Sequence, residues 1–188
     1  YNTSNVSMLS GHLFKTPTDM AIRRATSTDE SDRLMIVNGG DGSLTVFSLL
    51  RSQEVTAPAR FTTDGEFKAV GVDVDAIYVV VKRTINSSDQ YFVEYFDSSL
   101  HLDSGVFSAS SASTIGAAHL NTETVKVILD GIVQADKTVA NNTVTFDRSS
   151  SSSIEVGLNY SVEIKTMPVE PQLQTGSLRG FKKRILEV

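Results

Sequence analysis

Three side-chain types in this chain could do chemistry, and each is read first for what its spacing allows. His12, His101 and His119 are the only histidines, and they stand far apart with no ligand-spaced neighbour. A metal site needs several donors converging on one point, so these read as unrelated histidines of the surface or core. Asp73, Asp75 and Glu94 are the carboxylates that could serve as the acid and base of glycoside hydrolysis. Two of them flank one turn and the third sits in an alternating strand, which is the pattern of solvated acids. Asp41 and Asp73 to Asp75 could offer turn oxygens to calcium, but no complete loop with a distal bidentate glutamate follows.

No serine lies in a nucleophile elbow, and the glycines at 39, 40 and 42 belong to a hairpin rather than to a phosphate-binding strand-to-helix loop. Tyr78, Tyr91, Tyr95 and Tyr160 could form an aromatic platform for sugars, although at strand spacing they equally suit a sheet face, and tryptophan is absent. The strongest basic cluster is Arg179, Lys182, Lys183 and Arg184. It could meet phosphate or an acidic partner, or be the solvated face opposite Leu178, Phe181, Ile185 and Leu186. Asn-X-Ser/Thr triplets begin at Asn2, Asn5, Asn86, Asn141 and Asn159. In a chain rich in Asn, Ser and Thr they arise by chance, and they matter only in a secretory context. No catalytic, cofactor-binding or metal-binding residue is assigned, and the chain reads as a non-enzyme.

Composition narrows the remaining classes. With 188 residues the chain suits one large domain or two small ones, and 40% hydrophobic residues suffice for a core. There is no cysteine, which excludes disulfide staples and thiolate zinc sites. A net charge of −5 argues against a dedicated nucleic-acid binder. No apolar run of membrane-spanning length and no signal peptide is present. The opening Tyr1-Asn2-Thr3-Ser4 is not an initiation sequence, so a piece of a longer protein is expected.

The elements that must position these residues are strands. Val, Ile, Thr, Ser and Asp gather in short alternating runs between Gly, Asn, Asp and Ser turns. Strands are predicted at 20–24, 34–38, 44–49, 53–60, 67–72, 76–82 and 91–96, with the hairpin signal Gly39-Gly40-Asp41-Gly42 between the second and third. Pro58 marks an edge or a bulge. The run Ala76 to Lys82 is the most apolar and is expected at a sheet centre. Residues 104–118 read as a boundary or crossing loop, followed by strands at 124–129, 132–134, 143–146, 154–158 and 160–164. Asp130-Gly131 and Asn141-Asn142 are turns, and Ser149 to Ser153 is a flexible loop tip. The expected fold is all-β: an antiparallel, propeller-blade-like meander over 1–110, a small β sandwich or barrel over 111–168, and a connecting segment over 169–188.

Taken in order, four stretches carry a resemblance. They are Gly11-His12-Leu13-Phe14-Lys15-Thr16-Pro17 with Val37 to Leu44; Ala59 to Phe67 with Ile77 to Arg83 and Val93 to Phe96; His119-Leu120 with Val125 to Gly131; and Val156 to Tyr160 with Gly180 to Ile185. Together they resemble the nozzle, or tail tubular B, proteins of short-tailed bacteriophages and related phage stabilisation proteins. Phe61 departs from the tryptophan expected there, and the family's members are much longer than this chain. The resemblance implies a β-propeller-containing virion protein, made in the bacterial cytoplasm. It would assemble as a ring, a hexamer, below the portal and adaptor, and would let DNA pass without binding it specifically. It implies no active site, cofactor or membrane span. The alternative reading is a carbohydrate-binding β module of a phage or bacterial adhesin.

Overall fold

The computed structural model describes residue 5 and residues 7–165. The fold is all-β, built of antiparallel sheets with three short 3-10 turns. Strands β1 (Pro17–Arg23), β2 (Asp32–Asn38), β3 (Leu44–Leu50) and β4 (Val55–Phe61) form a four-stranded meander in sequence order. Strands β5 (Glu66–Asp73), β6 (Ala76–Ile85) and β7 (Ser88–Tyr95) form a second, three-stranded meander. As the sequence indicates, β6 is central, and Pro58 lies in β4, an edge strand, where its missing N–H costs no ladder bond.

The two meanders stack face to face. Met35, Val37, Leu44 and Val46 of the first meet Phe67, Val70, Ile77, Val79 and Val81 of the second in one buried cluster. Polar ties fix the stack. The Val70 N–H donates to Asp19 Oδ2 at 3.0 Å, and the Phe67 N–H donates to the Gly42 carbonyl at 2.8 Å. Gly42 has φ +67, and a Cβ there would lie 2.7 Å from the Glu66 side chain, so only glycine lets the hairpin reach the second sheet.

A second unit follows. Strands β8 (Asp103–Ser108), β9 (Thr114–Gly116), β10 (Thr124–Leu129), β11 (Ile132–Val133), β12 (Lys137–Thr138), β13 (Thr143–Thr145) and β14 (Ile154–Leu158) make two small sheets. One has the order β11-β10-β14-β8 with β12 also on β10, and the other pairs β13 with β9. They enclose Leu120, Val125, Val127, Val139, Val144 and Val156, giving a small sandwich. The β10–β11 turn at Asp130-Gly131 and the turn at Asn141-Asn142 have both central residues at positive φ, the geometry that matches strand twist in two-residue hairpins.

Three local expectations are corrected. The segment 104–118 holds most of β8 and all of β9; Ser and Gly residues hide its alternation, yet Val106 pairs with Val156 on β14. The run 160–164 forms no strand, and Tyr160, Val162 and Ile164 are 51, 71 and 81% exposed. It pairs with no strand among the described residues, and propensity without a partner does not make a strand. The loop Ser149 to Ser153 is held rather than loose. Asp130 accepts the N–H groups of Ser151, Ser152 and Ser153, and Ser150 is buried, its Oγ accepting the Ala112 N–H at 3.0 Å.

Candidate assembly surface and interior ion cluster

Alternation sends odd and even positions of a strand to opposite faces. In β6, Ile77, Val79 and Val81 enter the core, so Tyr78 and Val80 point outward. In β7 the partners of Tyr78 and Val80 are Tyr95 and Val93. The outer face of this sheet therefore carries Tyr78, Tyr91, Val93 and Tyr95, which are 41, 65, 76 and 60% exposed. The Tyr78 and Tyr95 rings lie 6.2 Å apart across the strands.

At the other end of the stack the outer face of the first meander is apolar too. Met20 and Ile22 on β1 pair with Ile36 and Leu34 on β2, and Met20 is 71% exposed. On the same face Phe47 is covered by Phe14, with ring centroids 5.8 Å apart. That covering segment is anchored by Asn38, which is fully buried. Its Nδ2 donates to the Leu13 carbonyl, Ser43 Oγ and Thr45 Oγ1, and its Oδ1 accepts the Lys15 N–H. An open cleft of about 640 Å³ lies beside it, lined by residues including Met8, Leu9, Leu13, Pro58 and Arg60. Among the described residues the only other titratable side chain lining it is His12.

Among the described residues a dense charge cluster lies in the interior. Arg83 on β6 is 1% exposed. Its Nε and Nη2 donate to Glu94 Oε1 and Oε2 at 2.9 and 2.8 Å. Its Nη2 and Nη1 also donate to Asp103 Oδ1 and Oδ2 at 3.0 and 3.3 Å, and Nη1 donates to the Asp64 carbonyl at 2.6 Å. Burial alone would push the guanidinium's pKa down, but hydrogen bonds to Glu94 and Asp103 and their negative charge more than offset it and raise the pKa. Gly65 lets the β4–β5 link come this close: its φ is +140, and a Cβ would collide with the Lys82 carbonyl.

The remaining sequence candidates separate. Glu94 is occupied by Arg83. Asp75 lies at the β5–β6 turn, 3.4 Å from Arg23, and Asp73 ends β5, so the three acids do not converge. Asp41 accepts from Ser43 and pairs with Arg60 at 3.0 Å. The Ser43 hydroxyl is the main cause of its lowered pKa. His12 is exposed in the first 3-10 turn. The His101 ring lies 3.1 Å from the buried Glu155 carboxylate, and His119 Nε2 lies 2.9 Å from the Ser104 carbonyl. Among the described residues no three His, Asp or Glu side chains group as metal ligands. No helix among them is long and apolar enough to cross a membrane. Tyr160 lies after β14, apart from the other tyrosines. Arg179, Lys182, Lys183 and Arg184 lie outside the described residues.

Sequence reasoning named Tyr78, Tyr91 and Tyr95 but missed Arg83 and Asn38. The signal for Arg83 was a charge in the apolar register of β6, where Ile77, Val79, Val81 and Ile85 share one face. No protein-family model matches the chain, and no curated protein matches it.

Proposed function

We propose that this chain is a structural element of a short-tailed bacteriophage tail, part of the nozzle that conducts DNA, and that it works by assembly rather than catalysis. The observation that carries this reading is the face-to-face stack of two consecutive meanders, β1–β4 on β5–β7, around one shared core. That is how successive blades of a propeller pack. Both ends of the stack keep apolar outer faces, Met20 and Ile22 at one and Tyr78, Val93 and Tyr95 at the other, as blades flanked by further sheets require. Phe61 meets Phe96 edge-on at 5.9 Å, so the departure from tryptophan still bridges the two sheets. The acids considered for catalysis support the same reading, because Glu94 is held by Arg83 and Asp75 lies beside Arg23, so they do not converge on one cleft.

In this reading the whole protein forms a ring, a hexamer, between the adaptor and the tail tip, with DNA passing and not held. Antibodies raised against the chain should decorate the tail of virions from the phage that encodes it. Absence of the chain from purified virions by mass spectrometry would overturn the reading.

A second reading, a carbohydrate-binding module of an adhesin, is favoured by one observation: Tyr78, Tyr91 and Tyr95 share one exposed face, and aromatic faces stack on sugar rings. Glycan-array binding that disappears in Tyr95→Ala would transfer the assignment to it.

A further inference from the structure

Strand β6 serves two cores. Ile77, Val79 and Val81 pack in the core between the meanders, while Ile85, on the same face, packs in the core of the second unit. Arg83 stands between them, where the apolar stripe passes from one core to the other. Its partners come from three directions. Glu94 is on β7, Asp64 is in the link from β4 to β5, and Asp103 is the first residue of β8, in the second unit. The partners are themselves cross-tied. Asp103 Oδ2 also accepts from Thr63 Oγ1 at 2.6 Å and from the Asp64 N–H at 3.3 Å, and Ser104 Oγ donates to Glu94 Oε1 at 3.1 Å.

Beside these polar ties, which all end on the two carboxylates that Arg83 holds, the boundary has an apolar contact: Ile85 and Phe92 lie against the second core, with Phe92 edge-on to His119 at 6.2 Å. Apolar contact is non-directional and tolerates sliding and rotation. A guanidinium held by two carboxylates and a carbonyl does not, because each bond has a required direction. Removing the cation leaves Glu94 and Asp103, both mostly buried at 21 and 19% side-chain exposure, with only neutral hydrogen-bond donors and no opposite charge between them.

We propose that Arg83 is a conformational lock that fixes the second unit on the stacked meanders and makes the two unfold as one body. The proposal does not depend on the phage reading. In a tail component it would fix the angle at which the sandwich projects from the stack, and in an adhesin it would do the same for a binding face.

The test is native-state hydrogen exchange and calorimetry on the chain with Arg83→Lys and Arg83→Met. Lysine keeps the charge but loses the fork that grips Glu94 and Asp103 together. The wild type should melt in one transition, with the slowest amides of β6 and β14 opening together. In Arg83→Lys, amides of β8 and β14 should exchange at least tenfold faster while those of β2 and β3 keep their rates. Arg83→Met should split the melt in two. Equal acceleration in both units, or a single transition in Arg83→Met, would overturn the lock. If Arg83→Met does not fold, the wild-type exchange decides alone: β8–β14 opening in wild type independently of β1–β7 refutes the proposal, and joint opening supports it.

Discussion

Sheet β5–β7 and the larger sheet of the second unit differ in what they put on their outer faces. The first carries Tyr78, Tyr91, Val93 and Tyr95 outward, with no described residue covering them. The second turns Lys126, Ile128, Glu155 and Phe107 outward, and the chain itself caps part of that face, since Glu155 accepts the N–H groups of His101 and Leu102 and Lys126 pairs with Asp136 at 2.8 Å. Toward the other end of the β5–β7 outer face Lys82 pairs with Asp89, so its apolar part is the Tyr78, Val93 and Tyr95 end, and an exposed apolar patch of that kind suits a covering partner. The outer face of the larger sheet in the second unit is mixed: Glu155 and Lys126 are paired, while Phe107 and Val133 stay 55 and 68% exposed. The difference singles out the outer face of β5–β7 as the one to alter first when the proposed assembly is tested.

The largest way to break the comparison is to empty one core at a time. Met35→Ala and Leu129→Ala each remove a side chain that is 1% exposed, and each should cost about 2–5 kcal/mol by chemical denaturation. With the units locked, both variants should lower one shared transition. If Leu129→Ala melts the sandwich and leaves the meander stack untouched, the units are independent.

Next is Asn38. Asn38→Ala removes the acceptor of the Lys15 N–H and the donor to the Leu13 carbonyl, Ser43 and Thr45, which keep only their other bonds, a loss of about 2–3 kcal/mol for a buried polar network. The segment before β1 should then become the first site of limited proteolysis, while the sandwich keeps its resistance.

These two sites show what was legible. The strands of the meanders could be read because alternation and glycine turns are local signals, and Gly39 to Gly42 marks its hairpin without any knowledge of the fold. Strand β8 could not, because Asp103, Ser104 and Gly105 mask an alternation whose meaning comes only from β14. Asn38 reads locally as the start of an Asn-Gly turn; its role comes from Leu13 and Thr45, brought together by the fold. Arg83 was visible as a breach in the stripe of β6, but its partner Asp103 is 20 residues away and in another unit.

A smaller effect separates the units by pH. Asp130 in the sandwich has its pKa lowered, chiefly by the Arg148 side chain and then by backbone N–H groups of the loop 151–153. A depressed carboxylate contributes stability that is present above its unfolded value and lost as pH falls through its folded value. Acid should therefore loosen the Ser149–Ser153 loop as the pH falls well below the ordinary 3.8 of an aspartate. Asp130→Asn should remove that dependence. Exchange of the Ser151 to Ser153 amides against pH reads it directly, and an unchanged acid profile in the variant would show that other carboxylates set it.

The smallest effect on stability should carry the largest effect on assembly. Val93 and Tyr95 are 76 and 60% exposed, so Val93→Lys with Tyr95→Glu removes little buried surface. Losing the Tyr78–Tyr95 pair and two strand-favouring residues should cost about 1 kcal/mol. Charges on that face would have to be desolvated beneath any covering sheet, at several times that cost. If the chain is the tail component proposed above, the protein carrying both changes should stay folded by circular dichroism yet fail to enter phage particles. Normal incorporation would mean the face is not covered in the virion. If incorporation is normal and glycan binding is lost instead, the same tyrosines serve as a sugar platform, and the contrast between the two sheets is one of ligand against scaffold.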